Sequence, residues 1–422
     1  MTPARNITLI ASAVLTLALA ASAQAQVRDA AVFAAAQAAQ PAVIETLQQL
    51  VKIESGSGNL DGLSKVADFA ETRLKALGAQ TERIKSVNSE RPILKGVLTG
   101  SGKLKVMLLA HMDTVYPDGI LATQSYRLDG NKLYGPGIAD DKGGMAVILH
   151  SLSLLKDLGW RDYASITVLF NADEEIGSAG SGETIAALGA LNDVVLSYEP
   201  TAAKQFAKDE GVLLGAAGAT TATMEVKGRA SHAGAAPDLG RNALIELSHQ
   251  MLATQDIAKD IPGAQLNWTY AQGGLVRNQI PERAHAFGDV RLMAPGAAEK
   301  LLAALQSKIK ESKRVPDTEV SVSIAVGRPP YLGGERGLAL AKRAQAIYAE
   351  LDGRKLLLHP MTGGGTDAGY ASLSGKPAVL ESMGLPGWGY HAKDEFIEID
   401  SIVPRLYLTA RMLQELAKNP VK

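Results

Sequence analysis

The run Val106-Met-Leu-Leu-Ala110 contains no polar residue. A strand with one wet face alternates apolar and polar side chains, so an unbroken run of this kind predicts a strand buried on both faces. It ends abruptly in His111-Met-Asp113. In an extended chain, residues two apart point the same way, so this imidazole and this carboxylate share a face. A metal-binding imidazole needs a carboxylate or carbonyl on its other nitrogen to hold its tautomer, and Asp113 is a candidate. Alone, the motif is equally an ordinary polar strand end. Its weight comes from the rest of the chain.

The pattern recurs. Ile166 to Phe170 is β-rich and ends in Asn171-Ala-Asp173-Glu174-Glu175; Val194-Val-Leu196 ends in Tyr198-Glu199-Pro200; Pro377 to Leu380 leads through a glycine-rich loop to His391. Further strands are expected near Thr81 to Ile84 and Ile93 to Leu98. Helical spacing lies between them. Val43, Ile44, Leu47, Leu50 and Val51 mark one helix, with Pro41 near its start. Leu60 to Leu77 marks a second, with Gly78 as its C-terminal cap. A third carries Met145, Ile148, Leu149, Leu152 and Leu155 after the loop Tyr134 to Gly144. Strands alternating with helices predict an α/β fold with a mostly parallel central sheet. Ligands of such sheets bind beyond the carboxyl ends of the strands, so residues far apart in sequence can converge there.

Between about 216 and 328 the order becomes β-α-β-β-α-β: strands Thr220 to Val226, around Trp268, Ala286 to Leu292 and Glu319 to Ala325, with helices from Asn242 to about Thr254 and Ala297 to Ser312. That order predicts a ferredoxin-like α+β insert. It would divide one larger domain into residues 26–215 and 329–422.

The chain has 422 residues, enough for two domains at about 150 each. A net charge of −1 suggests neither nucleic acid nor an anionic membrane as partner. The absence of cysteine removes disulfides, thiolate ligands and cysteine nucleophiles together. The first 25 residues are expected to be a signal peptide: Arg5 is a basic start, Ile7 to Ala20 an apolar core, and Ala23-Gln24-Ala25 a small-residue cleavage site. The apolar run is shorter than the ~20 residues a membrane span needs, so we expect export, to a periplasm or beyond, with Gln26 (or, with cleavage after Ala23, Gln24) as the mature start.

Without cysteine, a metal site must use His, Asp and Glu. The candidate donors are His111, Asp140, Glu175, Glu199 and His391, all suited to Zn²⁺, with Co²⁺ or Mn²⁺ as substitutes. Adjacency alone does not choose between Asp140 and Asp141. Two imidazoles and three carboxylates exceed one tetrahedral ion with an open position and suit two ions about 3.5–4 Å apart. Glu174, beside Glu175, can then remain unligated as a general base. Read alone, Asp173-Glu174-Glu175 is a solvated acidic turn, but it directly follows an apolar strand, as other candidate ligands do.

The motifs His111-Met-Asp113, Gly137-Ile-Ala-Asp140-Asp141-Lys-Gly-Gly144, Asp173-Glu174-Glu175, Tyr198-Glu199-Pro200, Ala230-Ser-His232-Ala-Gly234 and Tyr390-His391 occur in the order seen in the di-zinc glutamate carboxypeptidase, aminoacylase and desuccinylase family, which the chain resembles over nearly its whole mature length. Within it, the chain is most similar to exported glutamate carboxypeptidases that hydrolyse folates, through Asn267-Trp-Thr269, Gly327-Arg-Pro329, Thr362 to Asp367 and Gly384-Leu-Pro-Gly387. The resemblance implies a zinc-peptidase-like catalytic domain whose insert is a lid and dimerisation domain. It implies that Asp140 bridges two Zn²⁺ ions, that His111 and Glu199 complete one site, and that Glu175 and His391 complete the other. Asp113 would hold His111, and Glu174 would be the base. His232 would reach the active site of a partner subunit in a homodimer. Asn278, Arg291 and Arg328 would bind the substrate's terminal carboxylate, which suits a planar guanidinium. Gly364, Gly365 and Thr366 would line the pocket. His150, His249 and His285 are expected to be structural or exposed.

The resemblance therefore implies release of a C-terminal amino acid, glutamate first, from a peptide, folate-like or other N-acyl substrate. The same chemistry in an aminoacylase, desuccinylase or dipeptidase is the alternative, and a non-catalytic periplasmic binding protein a remote one. Lys204 to Gly218 departs from the family pattern and leaves the acyl partner open.

Overall fold

The strand ending at His111 lies inside a six-stranded sheet, with helices on both faces. The computed structural model describes residues 27–421; the expected signal peptide lies outside them. In chain order the main elements are α1 (Ala30–Val51), α2 (Leu60–Leu77), β1 (Gln80–Lys85), β2 (Pro92–Thr99), β3 (Lys105–His111), α3 (Lys142–Asp157), β4 (Ser165–Asn171), α4 (Gly182–Leu191) and β5 (Val194–Ser197). They continue with β6 (Gly218–Lys227), α5 (Ala243–Thr254), β7 (Ala264–Gly273), β8 (Arg283–Leu292), α6 (Ala297–Glu311), β9 (Glu319–Ile324), α7 (Gly334–Ala349), β10 (Ala378–Leu380) and α8 (Ile402–Lys418).

Both faces of β3 are buried, each by a different core. Val106, Leu108 and Ala110 pack with Leu47 of α1, Met145 of α3 and Leu406 of α8. Met107 and Leu109 pack with Ile185 of α4, Ala371 and Val379. The absence of alternation in the sequence reflects this double burial, worth about 1.5–3 kcal/mol per large side chain.

The sheet order is β1-β2-β4-β3-β5-β10. Strands β4, β3, β5 and β10 are parallel, whereas β1 and β2 pair antiparallel with each other and β2 with β4. The sheet is thus mixed: the short β1–β2 connection cannot make the crossover a parallel pair needs. Because β3, β4 and β5 run the same way, their carboxyl ends lie along one edge.

Residues 218–324 build a second, wholly antiparallel sheet in the order β7-β8-β6-β9. Its core is its own: Ala222, Met224 and Val226 from β6, Leu247 from α5, and Leu301 and Leu305 from α6. This is the expected β-α-β-β-α-β arrangement.

The first helix is longer than its apolar spacing predicts. Asp29 caps it, accepting from the Ala31 and Val32 amides, and Pro41 falls inside it. The Ala-rich turns before Pro41 carry the best helix former, and packing of Val32 and Ala36 into the core offsets the hydrogen bond that Pro41 removes.

Candidate active site

The parallel strands deliver their functional groups by register. His111 pairs with Asn171, and Leu109 with Ser197, so the residues following β4 and β5 emerge beside His111. The chain after β4 turns at Glu174–Ile176, and the chain after β5 reaches Glu199. The loop before α3 brings Asp140 to the same place, joined to Asp141 by a cis peptide.

Two sets of donors form around Asp140. His111 Nε2 lies 3.0 Å from Asp140 Oδ1 and 3.6 Å from Glu199 Oε1. His391 Nε2 lies 3.3 Å from Asp140 Oδ2 and 3.0 Å from Glu175 Oε2. Two donors on one tetrahedral zinc, each about 2.1 Å from the ion, would sit about 3.4 Å apart, close to these spacings. Within each set every donor lies within 4.8 Å of the others, and Asp140 belongs to both. The five expected ligands are therefore together, with nitrogen and oxygen donors in an arrangement that fits divalent cations.

Asp141 has a different task. Its carboxylate caps α3, accepting from the Gly144 amide at 3.1 Å, and its other oxygen accepts from the His111 amide at 3.3 Å. Asp113 is also structural support. Its carboxylate accepts from the amides of Glu174 and Glu175 at 3.0 and 3.1 Å and from the Ser57 hydroxyl at 2.7 Å. His111 Nδ1 meets the Asp113 backbone carbonyl at 3.0 Å, while the Asp113 carboxylate is 3.4 Å away. The backbone carbonyl is thus the nearer partner for fixing the tautomer. His391 has a left-handed φ of 62°, a conformation costing of order 1 kcal/mol that its surroundings must impose.

Burial and close packing shift the acid–base behaviour of this cluster. Burial pushes Glu199 well above the usual carboxylate range, and burial with Asp140 beside it raises Glu175. Burial alone would raise Asp140 too, but the imidazoles of His111 and His391 hold it below the normal range. His391, between Asp140 and Glu175, is pushed up to about 10. A divalent cation would take the place of those protons.

Glu174 is buried beside these groups, and burial pushes its carboxyl up to about 8, partly opposed by Arg328. The Arg328 guanidinium contacts both Glu174 Oε1 and the Glu174 backbone carbonyl. The expected carboxylate-binding arginine thus rests on the expected base.

A cleft of about 840 Å³ opens over the site. It is lined by Asp140, Glu174, Glu175, Glu199 and His391 below, and by Ala219 to Thr221 and Arg291 from the second sheet. Gly364, Gly365 and Thr366 line it as well. Arg291 is held by Asp289 through two bonds of 2.9 and 3.0 Å. His232 and Asn278 are exposed neighbours outside the cleft lining; the Asn278 carbonyl accepts from the Ala233 amide at 2.9 Å. His232 Nδ1 accepts from the Gly234 and Ala235 amides at 3.2 and 3.0 Å, so its Nε2 is the ring nitrogen not engaged by this turn.

His150 is buried against Thr46, 2.8 Å from its hydroxyl. His249 is half-buried beside Ser312, and His285 joins an aromatic cluster with Tyr270 and Phe287.

One supporting residue escaped the sequence reading. Glu395 is buried, and its carboxylate accepts from the amides of Gly137, Ala139 and Asp140 at 2.7, 2.8 and 3.0 Å. It shapes the loop presenting Asp140. The only signal was an acidic residue just after His391, indistinguishable from a surface charge.

Comparison with known proteins agrees with this geometry. The profile of peptidase family M20/M25/M40 matches residues 107–415. Carboxypeptidase G2 of a Pseudomonas species is 46% identical over 418 residues, covering 99% of both chains. A putative succinyl-diaminopimelate desuccinylase of Mycobacterium tuberculosis is 27% identical over 388 residues, 88% of this chain and 97% of that one. An M20-family metallo-carboxypeptidase of Sulfolobus solfataricus shares the fold, with a TM-score of 0.69 at 18% identity, over 89% of this chain and 99% of that one.

Proposed function

The chain belongs to peptidase family M20/M25/M40, and from that premise we propose that it is a zinc-dependent carboxypeptidase releasing C-terminal glutamate from folate-like or other N-acyl substrates. The observation that carries the reading is the double donor set on Asp140, with buried Glu174 beside it, at the floor of a cleft that also holds Arg291 and Arg328. The similarity to carboxypeptidase G2 supports glutamate as the residue released.

His111 and Glu199 would hold one zinc, Glu175 and His391 a second, with Asp140 shared. Bound there, the metal pair would polarise the scissile carbonyl and lower the pKa of a nearby water. Glu174 takes the proton from the attacking water and returns it to the amide nitrogen as the C–N bond breaks. A carboxyl raised towards neutrality by burial can both accept and donate at that pH. Arg328 occupies one Glu174 oxygen and leaves the other for this transfer. Arg291 and Arg328, with the loop Gly364 to Thr366, would receive the carboxylate of the leaving amino acid.

His232 would complete a partner subunit's site through its Nε2. Exposed Leu244, Ile245 and Leu252 on α5 support a homodimer through the second sheet's layer, testable by sedimentation. Export through cleavage before Gln26 is likewise proposed. Among the described residues no helix is long and apolar enough to cross a membrane. N-terminal sequencing of the protein recovered from the producing cell checks the cleavage.

The deciding assay is glutamate release from a folate and from N-benzoyl-glutamate by the purified mature protein, before and after chelation and zinc return. Release that disappears with chelation and returns with zinc is expected. An intact amide in both substrates, with metal bound, would reject the glutamate reading. Release of succinate from N-succinyl amino acids would then favour the desuccinylase alternative, which the relative at 27% identity suggests.

A further inference from the structure

A second cavity, of about 260 Å³, lies far from the cleft, between α2, β2, α3 and β4. Ile166, in its floor, stands at the start of β4, and the far end of that strand leads to Glu174. The length of the strand, roughly 15–20 Å, therefore separates the cavity from the candidate metal ligands, none of which lines it. Its floor is apolar: Leu98, Leu152, Leu155 and Ile166 are all buried. Trp160 and Tyr163 close one side, with ring centroids 5.2 Å apart. The connection that carries them is tied to the body. The Trp160 amide donates to the Leu155 carbonyl at 2.9 Å, and the Tyr163 carbonyl accepts from the Gly102 amide at 3.0 Å.

Polar groups meet this apolar space without partners of their own. Tyr163 is only 8% exposed, yet its hydroxyl has no hydrogen-bond partner among the described residues. A buried hydroxyl left in that state is costly unless something else satisfies it. Burial raises its pKa, and the nearby Arg161 guanidinium opposes the shift, so the positive charge acts on that hydroxyl. Arg161 also lines the cavity; it donates to the Thr99 carbonyl at 3.1 Å and pairs with no carboxylate among the described residues. The carboxyl ends of α2 and α3 border the same space and carry partial negative charge. Lys156 answers that charge, its ammonium donating to the Ala76 carbonyl at 2.7 Å. The charge of Arg161 is left over. Asp157 and Asp162 are near in sequence but do not line the cavity.

An apolar floor with one hydroxyl and one guanidinium beside it suits a molecule with an apolar body and a single anionic end. We propose that this cavity is a second ligand site, for a small apolar monocarboxylate. The body would fill the floor made by Leu98, Leu152, Leu155 and Ile166, and the carboxylate would accept from the Tyr163 hydroxyl and from Arg161. At ~30 Å³ for a water-sized group, the cavity takes roughly nine non-hydrogen atoms, the size of a medium-chain alkanoate. The site is independent of the reaction carried out in the cleft.

The test titrates octanoate into the purified mature protein, followed by calorimetry and by tryptophan emission. Saturable binding with a Kd of about 1 mM or tighter is expected, with an emission change that is lost in Trp160→Phe. Arg161→Gln alters an exposed side chain and Tyr163→Phe keeps the ring, so both variants should fold. Each should weaken octanoate about tenfold. Octanamide, which has the same shape without the charge, should bind the parent about tenfold more weakly than octanoate. No saturable binding up to ~10 mM overturns the site. So does an affinity that falls in Arg291→Gln but not in Arg161→Gln or Tyr163→Phe, because the ligand would then lie in the catalytic cleft. An emission change of equal size in Trp160→Phe places the ligand elsewhere and overturns the site too. Octanamide binding as tightly as octanoate overturns the carboxylate class.

Discussion

Arg405→Met should destabilise the protein by about 3–4 kcal/mol. Arg405 lies on α8 with no exposed surface. Its guanidinium reaches Glu210 Oε2 at 3.2 Å, the Ser382 carbonyl at 3.1 Å, the Thr201 hydroxyl at 3.3 Å and the Gly211 carbonyl at 2.9 Å. Methionine fills much of the space but leaves the Glu210 carboxylate buried without its main cation. Breaking a buried pair from one side costs about 3–5 kcal/mol. The lower part of that range applies because Glu210 keeps the Tyr348 hydroxyl and has Arg354 at 3.6 Å and Lys204 at 4.0 Å. Urea unfolding of Arg405→Met, Glu210→Gln and the double variant measures the cost. Neutralising both partners should recover about 2 kcal/mol relative to the sum of the single losses. A single-variant loss below about 1 kcal/mol, or strict additivity, would refute the claim that this pair is electrostatically coupled. The same substitution should weaken zinc retention, since Thr201 closely follows Glu199.

Glu174→Gln should lower turnover about 10²–10⁴-fold while zinc content is retained; a loss under tenfold would remove Glu174 from the chemistry. Asp140→Asn should lose bound zinc by elemental analysis, whereas Asp141→Ala should keep it and lose about 1 kcal/mol of stability through the lost cap; the opposite pattern would reassign the two aspartates. Chelation should lower the unfolding temperature, because zinc at a hundredfold excess over its Kd contributes about 2.7 kcal/mol, and an unchanged transition would mean that these donors hold no stabilising cation. Burial, reinforced by nearby Arg73, pushes His150 down to about 4 from 6.5. Between those values the unfolded chain takes up a proton that the folded one refuses. The contribution is therefore fully present above pH 6.5 and lost towards pH 4, up to about 3 kcal/mol. His150→Gln should flatten that part of the stability profile.

The central strands, the helix capped by Gly78 and the order of the insert were legible because each is signalled within a short window: an unbroken apolar run, helical spacing, a glycine after the last apolar position. The same local logic pointed to His111, Glu174, Glu175 and Glu199, since a polar residue directly after a buried parallel strand has only one edge of the sheet to occupy, whereas the choice of Asp140 rested on the family resemblance. One local reading fell short. Pro41 suggested a helix start, yet capping by Asp29 and packing of Val32 extend the helix through it. The sheet is mostly parallel as expected, and the short connection before β2 makes only that edge antiparallel.

What the sequence by itself determined is the fold class, the insert and the set of residue types that can meet at the strand ends, because periodicity and motif spacing depend on neighbours along the chain. The tertiary structure decided which of two adjacent aspartates faces the donors, by committing Asp141 to the α3 cap and the His111 amide. It set Arg328 on Glu174, left His232 and Asn278 outside the cleft lining, and brought Phe206 onto Trp388. It also buried Glu395 under the Asp140 loop and paired Glu210 with Arg405. These outcomes depend on contacts between segments far apart in the chain, where burial and the need to satisfy every buried polar group select one partner among many.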